Sequence, residues 1–413
     1  MRLSFQKNTL RIMIFFVFVL LVSYGRYRIY DDVATYYAVV EIMSGLVCFF
    51  LAGIDRSRRL NRYTKVYILF CLFRIASSYV YHGSIYGEAK KIVYYEIGFL
   101  LVLLVITTKE SYGSIMIAVR DFGVINAMMA IWEYYTKYNR FVFWINPKNY
   151  FINLSSVGEA GWRARTLFFH PSIFALFVCI CWGITIFYPF KSIFTNNIVK
   201  IILAVALLVC NSRSGWVTFI VINLLIVIEK WVSQNNYTTR STLYLISAML
   251  IGGLLVFALM SDRVMVAVNA VMTRWVSGFS SSDVSNYNRI TMIKLGLHEW
   301  SKSSRKTRLF GFGPGYAIAY LRANPIRGWN RAVDNTYITV LMNYGLIGLI
   351  LYVYVTYGAI KNFFSSRESK TKVAAIICIT ISISTFFFDV FSWITCILFY
   401  CLAVMGLNDN ESR

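Results

Sequence analysis

Residues 372–406 read KVAAIICITISISTFFFDVFSWITCILFYCLAVMG and contain only two charged side chains, Lys372 and Asp389. An α-helix needs about 20 predominantly apolar residues to cross the hydrocarbon core of a bilayer. The stretch is long enough for two crossings. We therefore predict spans at 372–388 and 390–406, which meet at Asp389.

The rest of the chain repeats this pattern of apolar runs separated by short charged clusters. Of the 413 residues 58% are hydrophobic and 15% are charged, and the mean hydropathy is +0.59. A soluble globular chain carries about 45–50% apolar residues. We predict an all-α integral membrane protein with about twelve transmembrane helices. The other predicted spans are 10–24, 33–54, 64–81, 92–107, 115–135, 167–189, 197–211, 214–232, 242–261 and 334–360.

The charges of the loops predict the orientation, because short loops rich in Lys and Arg stay in the cytoplasm. With both termini in the cytoplasm, the basic loop at 56–65 lies inside. Two long segments then lie outside, and long loops on a scaffold often carry function. The predicted regions are N-terminal helices 1–135, an extracytoplasmic loop 136–166, central helices 167–261, a large helical basic extracytoplasmic loop 262–333 and C-terminal helices 334–413.

The large loop is strongly basic. From Asp262 to Asp334 there are eleven Lys and Arg against four acidic residues. The arginine guanidinium matches the oxygens of phosphate, so this charge favours an anionic, phosphorylated ligand. Outer placement on a membrane scaffold favours a lipid-linked phosphate and argues against nucleic acid. The alternative is a solvated surface, since long loops are exempt from the rule on loop charge.

Four stretches together resemble the superfamily of bacterial polysaccharide polymerases and O-antigen ligases. They are RARTLFFHPSIFALF at 163–177, NSRSGW at 211–216, NRITMIKLGLHEWSKSSRKTRLFGFGPGY at 288–316 and DNTYITVLMNYGLIGLILY at 334–352. His170 stands where relatives often have Glu. Ligases of the superfamily typically have His where this chain has Asp334, and that departure favours a polymerase.

The resemblance implies an enzyme that joins undecaprenyl-pyrophosphate-linked oligosaccharide repeat units into O-antigen or a related surface polysaccharide. It implies a multi-pass protein of the bacterial inner membrane that acts at the outer face, without a cofactor or metal. Expected partners are the lipid-linked glycan, membrane lipid, a chain-length regulator and a flippase. An O-antigen ligase and a lipid-linked oligosaccharide flippase or transporter remain alternatives.

Four residues are predicted to carry the chemistry. Arg213 and Arg289 stabilise the departing pyrophosphate, and Asp334, with His170 second, receives the proton of the acceptor hydroxyl. The alternatives are a membrane-interface anchor for Arg213, a solvated helix face for Arg289, and helix capping for Asp334. The predicted binding residues are Arg163, Arg165, Asn335, Tyr337, Gly311, Gly313, Gly315 and Arg331.

Two features leave alternatives open. The glycines of the 311–315 run either approach a phosphate or only return the loop to the membrane.

Ionisable side chains within or near spans are expected to be paired, because charge in a bilayer is costly. Glu41 with Arg74 is one hypothetical pair; the other such residues are Glu96, Glu133 and Asp389.

Overall fold

A computed structural model of the chain describes residues 9, 11–13, 15, 60–82, 91–140, 162–168, 170–233, 284–326 and 333–408. In these ranges every regular element is a helix. The helices are α1 Arg62–His82, a π-helix Ile92–Ile97 that continues into α2 Gly98–Ile106, α3 Lys109–Thr136, α4 Pro171–Phe187, α5 Ile193–Val209, α6 Arg213–Ser233, α7 Val284–Lys302, α8 Arg305–Phe310, α9 Tyr316–Ala323, α10 Thr336–Ser365, α11 Ser369–Ser384, a 3₁₀ turn Val390–Ser392 and α12 Ile394–Gly406.

The all-helical prediction is confirmed for the described ranges. A helix occupies each predicted span from 64–81 to 214–232 and from 334–360 to 390–406. Within the part of the chain that the structure describes, three segments are long and apolar enough to cross a membrane: Ser111–Thr136, Arg213–Trp231 and Thr336–Ser365. The predicted spans 33–54 and 242–261, most of 10–24, and Arg331 lie outside the described residues, so the total of about twelve stays a prediction.

Helix α10 is sharply bent at Gly345, whose φ of 65° and ψ of −164° are not helical. The glycine run packs on this bend. The amides of Phe312 and Gly313 donate to the carbonyls of Met342 and Asn343, at 2.9 and 3.0 Å. A Cβ on Gly311 would overlap the backbone of Asn343. The run therefore fastens α8 and α9 to α10, as expected for a loop that returns to the membrane helices.

Gly311→Ala is expected to destabilise the protein much more than Gly315→Ala. Both glycines have positive φ, 86° and 80°, a backbone strain of about 1–3 kcal/mol for an L-residue. Only at Gly311 would the new methyl group also collide with backbone, since nothing lies within 4 Å of a Cβ at Gly315. Thermal unfolding of both variants in detergent measures the difference, and equal losses would contradict the packing of this turn.

The buried arginine of α1, Arg74, is paired with a carboxylate of the neighbouring π-helix. Arg74 donates to Glu96 of the π-helix at 2.6 Å, whereas Glu41 lies outside the described residues. The carboxylate of Glu96 also accepts from the Tyr67 hydroxyl at 2.6 Å. The Arg74 guanidinium lies 4.3 Å from the ring centre of Phe391. Pairing is thus confirmed for Arg74 and Glu96, and the Glu41 hypothesis stays a prediction.

Removing one member of this pair is expected to be costlier than removing both. Glu96→Gln leaves the Arg74 charge buried without its carboxylate, a loss of about 3 kcal/mol. The double variant Arg74→Met/Glu96→Gln leaves no buried charge and should recover part of that stability. Thermal unfolding of the wild type, Glu96→Gln, Arg74→Met and the double variant gives a double-mutant cycle. If the stability losses of the two single variants simply add in the double variant, the pairing is contradicted.

Candidate active site

A cavity of about 470 Å³ lies where the N-terminal ends of α4, α6, α10 and α12 converge. Backbone amides at helix N-termini attract negative charge. The lining includes three arginines against two aspartates, so the cavity suits an anionic ligand. The lining residues are Arg163, His170, Ser172, Ile173, Ser212, Arg213, Ser214, Arg289, Ile318, Val333, Asp334, Phe387, Phe388, Asp389, Ser392 and Trp393.

The segment that carries Arg163 is fixed by backbone hydrogen bonds. The Ala164 amide donates to the Val209 carbonyl at 3.0 Å, and Arg163 Nε donates to the Cys210 carbonyl at 3.4 Å. The buried Glu133 carboxylate of α3 accepts from the amide of Thr166 at 2.8 Å. The orientation of Arg163 is thereby tied to the C-terminal end of α5.

Arg213 is positioned by the tight turn between α5 and α6. Asn211 adopts a positive φ of 47°, and the Ser212 carbonyl accepts from the Trp216 amide at 3.0 Å to begin α6. At Gly215 an added Cβ would lie 2.6 Å from Ala175 of α4. Glycine is therefore required for the close approach of α4 and α6 at the cavity.

Serine hydroxyls join the N-terminal ends of α4 and α6. Ser212 Oγ lies 3.2 Å from Ser172 Oγ and 3.0 Å from Ser214 Oγ. Hydroxyls both donate and accept hydrogen bonds. Beside Arg213 they add neutral donors to the cationic side of the cavity.

Asp334 lies immediately before α10, but it does not cap that helix. The cap is Asn335, whose side chain accepts from the Ile338 amide at 3.0 Å. Asn335 is 2% exposed and does not line the cavity, so its predicted substrate contact has no support from its position. The capping alternative for Asp334 is wrong because its neighbour fills that position, and the Asp334 side chain lines the cavity instead.

Arg289 approaches Asp334 from α7. Arg289 is half-buried and lines the cavity, and its guanidinium lies 5.8 Å from the ring centre of Phe387, so the solvated-face alternative is wrong. Burial raises the pKa of Asp334 above its ordinary value, and the charge of Arg289 lowers it in part. A carboxyl group with a raised pKa is a better proton acceptor once it is ionised.

His170 caps α4, and its Nδ1 accepts from the Ser172 amide at 3.2 Å. A neutral imidazole that accepts at Nδ1 carries its proton on Nε2. His170 is therefore arranged as a hydrogen-bond donor. This geometry favours contact with an anion over the predicted role as second-choice base.

The structure brings together Arg163, His170, Arg213, Arg289 and Asp334 in the cavity lining, and those other predicted binding residues that it describes do not line the cavity. Arg165 is buried, and the Tyr337 hydroxyl donates to the Ser382 carbonyl at 3.0 Å. The glycine run packs on α10, and Arg331 lies outside the described residues.

Sequence reasoning missed Asp389, Trp393 and the four serines of the cavity lining as site residues. A signal for Asp389 was present, since it is a charge at the junction of two predicted spans. Thr336 connects this junction to α10: its Oγ1 accepts from the Val390 amide at 2.9 Å and donates to the Phe388 carbonyl at 3.1 Å. The fold thereby brings Asp389 and Asp334 to one cavity.

The arrangement suits a reaction in which a group is transferred to a hydroxyl and a phosphorylated leaving group departs. Cations and helix N-termini stabilise the departing charge, and a carboxylate accepts a proton from a hydroxyl. No curated protein matches the chain. Residues 198–353 match the family model described as O-antigen ligase, a range that contains Arg213, Arg289 and Asp334. This match confirms the resemblance found in the sequence motifs and is consistent with the O-antigen ligase and polymerase superfamily.

Proposed function

We propose that this protein polymerises undecaprenyl-pyrophosphate-linked oligosaccharide repeat units into a surface polysaccharide at the outer face of the inner membrane. One observation carries the proposal: Arg163, Arg213 and Arg289 come from three distant parts of the chain and line one cavity with Asp334. A pyrophosphate leaving group needs cations more than it needs a proton donor.

The proposed reaction is a single displacement. The acceptor hydroxyl oxygen forms a bond to the anomeric carbon of the donor sugar, and the bond from that carbon to the pyrophosphate oxygen breaks. Undecaprenyl pyrophosphate leaves with the electron pair, stabilised by Arg213 and Arg289. The hydroxyl proton passes to Asp334.

Polymerase is preferred over ligase because Asp334 occupies the position at which ligases of the superfamily typically carry His. A flippase is less favoured, since transporters bind at midplane broken helices in matched halves, whereas these arginines gather at helix ends. The proposed orientation, with both termini in the cytoplasm, follows the loop charges. A flippase and a chain-length regulator are proposed partners.

The test mixes the purified full-length protein with synthetic undecaprenyl-pyrophosphate repeat units in the presence of EDTA. Polymerase activity gives a ladder of lengthened glycans on a gel. In cells, deletion of a polymerase leaves single repeat units on the surface lipid, deletion of a flippase leaves none, and deletion of a ligase leaves unattached long chains. A deletion strain with normal polysaccharide would refute all three.

A further inference from the structure

The cavity is lined by two chemically different sets of residues. The segment that precedes α4 supplies Arg163 and His170, the start of α6 supplies Arg213, and these parts also bring Ser172, Ser212 and Ser214. A single continuous segment, 387–393, supplies Phe387, Phe388, Asp389, Ser392 and Trp393. This segment reads FFDVFSW and contains no cation, so it suits a neutral, hydroxyl-rich group better than a phosphate.

We propose that segment 387–393 is the subsite for the acceptor sugar, with Trp393 stacking on a sugar ring and Asp389 accepting hydrogen bonds from its hydroxyls. The inference rests on the proposed function and deepens it. It divides the cavity into a cationic subsite for the donor pyrophosphate and an aromatic, acidic subsite for the acceptor glycan.

The Asp389 carboxylate is held in a defined orientation. Its Oδ2 accepts from Ser392 Oγ at 2.8 Å, and its Oδ1 accepts from the Phe391 amide at 3.3 Å. An ionised carboxylate accepts through two oxygens that offer about four lone-pair sites and donates nothing. Sugar hydroxyls are donors, so a fixed carboxylate on the cavity wall can select both the presence and the direction of a hydroxyl.

Trp393 provides a flat apolar surface on which a sugar ring can stack. Its ring is partly exposed and lies 5.5 Å from the imidazole of His170, centre to centre. The residue stands immediately before α12, in an extended conformation. Aromatic rings with a polar edge bind surfaces that are apolar on one side and wet on the other, as sugar rings are.

Val390 and Phe391 of segment 387–393 pack into the helical core, and this packing holds the cavity-lining residues of the segment in place. Val390 is 1% exposed. The ring of Phe391 lies 4.3 Å from the Arg74 guanidinium and 5.6 Å from the ring of Tyr352, centre to centre. The 3₁₀ turn thus directs Val390 and Phe391 inward while Asp389, Ser392 and Trp393 line the cavity. A binding surface held this way loses little conformational entropy when a ligand binds.

The experiment uses the full-length protein and two separate probes. The sugar probe is the oligosaccharide repeat unit released from its lipid carrier, and the anion probe is inorganic pyrophosphate. Trp393→Ala and Asp389→Asn are expected to weaken oligosaccharide binding at least tenfold and to leave pyrophosphate binding within twofold of the wild type. Trp393→Phe keeps an aromatic face and should retain most of the sugar affinity.

The matched controls are Trp231→Ala, at an exposed position near the far end of α6, and Asp121→Asn, a half-exposed carboxylate on α3. Both should bind both probes like the wild type. Wild-type sugar affinity in Trp393→Ala and Asp389→Asn would overturn the inference. An equal loss of both probes in Trp393→Phe would also overturn it, because the segment would then be only structural.

If the wild type forms a glycan ladder and Trp393→Ala forms it with an unchanged acceptor KM, the inference fails and the polymerase stands. If the wild type binds both probes with the expected variant effects but forms no ladder, the polymerase fails and the sugar subsite stands.

Discussion

Arg213→Ala is expected to reduce the rate of glycan extension by roughly 10²–10³-fold, the loss typical of removing one donor that stabilises developing charge. The physical reason is position: Arg213 begins α6, so its guanidinium and the amides at that helix end act on the same anion. Single-turnover extension of a lipid-linked acceptor by the purified protein measures the rate.

Two further variants test whether the loss of rate is specific to the guanidinium of Arg213. Arg213→Lys keeps the charge but loses the planar fork that binds two phosphate oxygens, so an intermediate rate is expected. Arg308→Ala removes an exposed arginine of α8 that does not line the cavity and should extend glycans at the wild-type rate. If Arg213→Ala were as active as Arg308→Ala, Arg213 would have no part in the reaction.

Asp334→Asn is expected to lower the extension rate by about 10²–10⁴-fold, the range for loss of a general base. The ionised form is the active one, so the wild-type rate should rise with pH as Asp334 loses its proton. Because burial raises the pKa of Asp334, this rise should occur above the ordinary range for an aspartate. A pH–rate profile measures it, and in Asp334→Asn the rise should disappear.

Because Arg289 is charged, the pH–rate profile also tests whether Arg289 lies close to Asp334. Arg289 lowers the pKa of Asp334, so Arg289→Gln should raise that pKa. The rise in rate, which we call the rising limb of the profile, should then occur at higher pH. Arg289→Lys retains the charge and should leave the limb close to its wild-type position. A limb that does not move in Arg289→Gln would show that Asp334 is not the group that titrates.

The sequence was sufficient for the helices and for much of the site. Apolar runs predicted α10 to α12 closely, because a helix that crosses a bilayer must be long and apolar along its own length. The positions of Arg213 and Asp334 followed from short motifs at the ends of such runs. The bend at Gly345 could not be predicted, since α8 and the glycine turn that pack against it belong to a separate part of the chain.

Only the tertiary structure decided which polar groups meet. Hydropathy and motif spacing are local, whereas the pairing of Arg74 with Glu96 and the placing of Asp389 beside Asp334 depend on how separate helices pack. Asn335 caps α10 and also donates to the Phe386 carbonyl at 3.4 Å, and Asp334 lines the cavity. The sequence by itself thus determined the apolar helices and the arginines at their ends. The site was determined by the convergence of four helix ends, because the burial and the charge environment of a residue depend on neighbours distant in sequence.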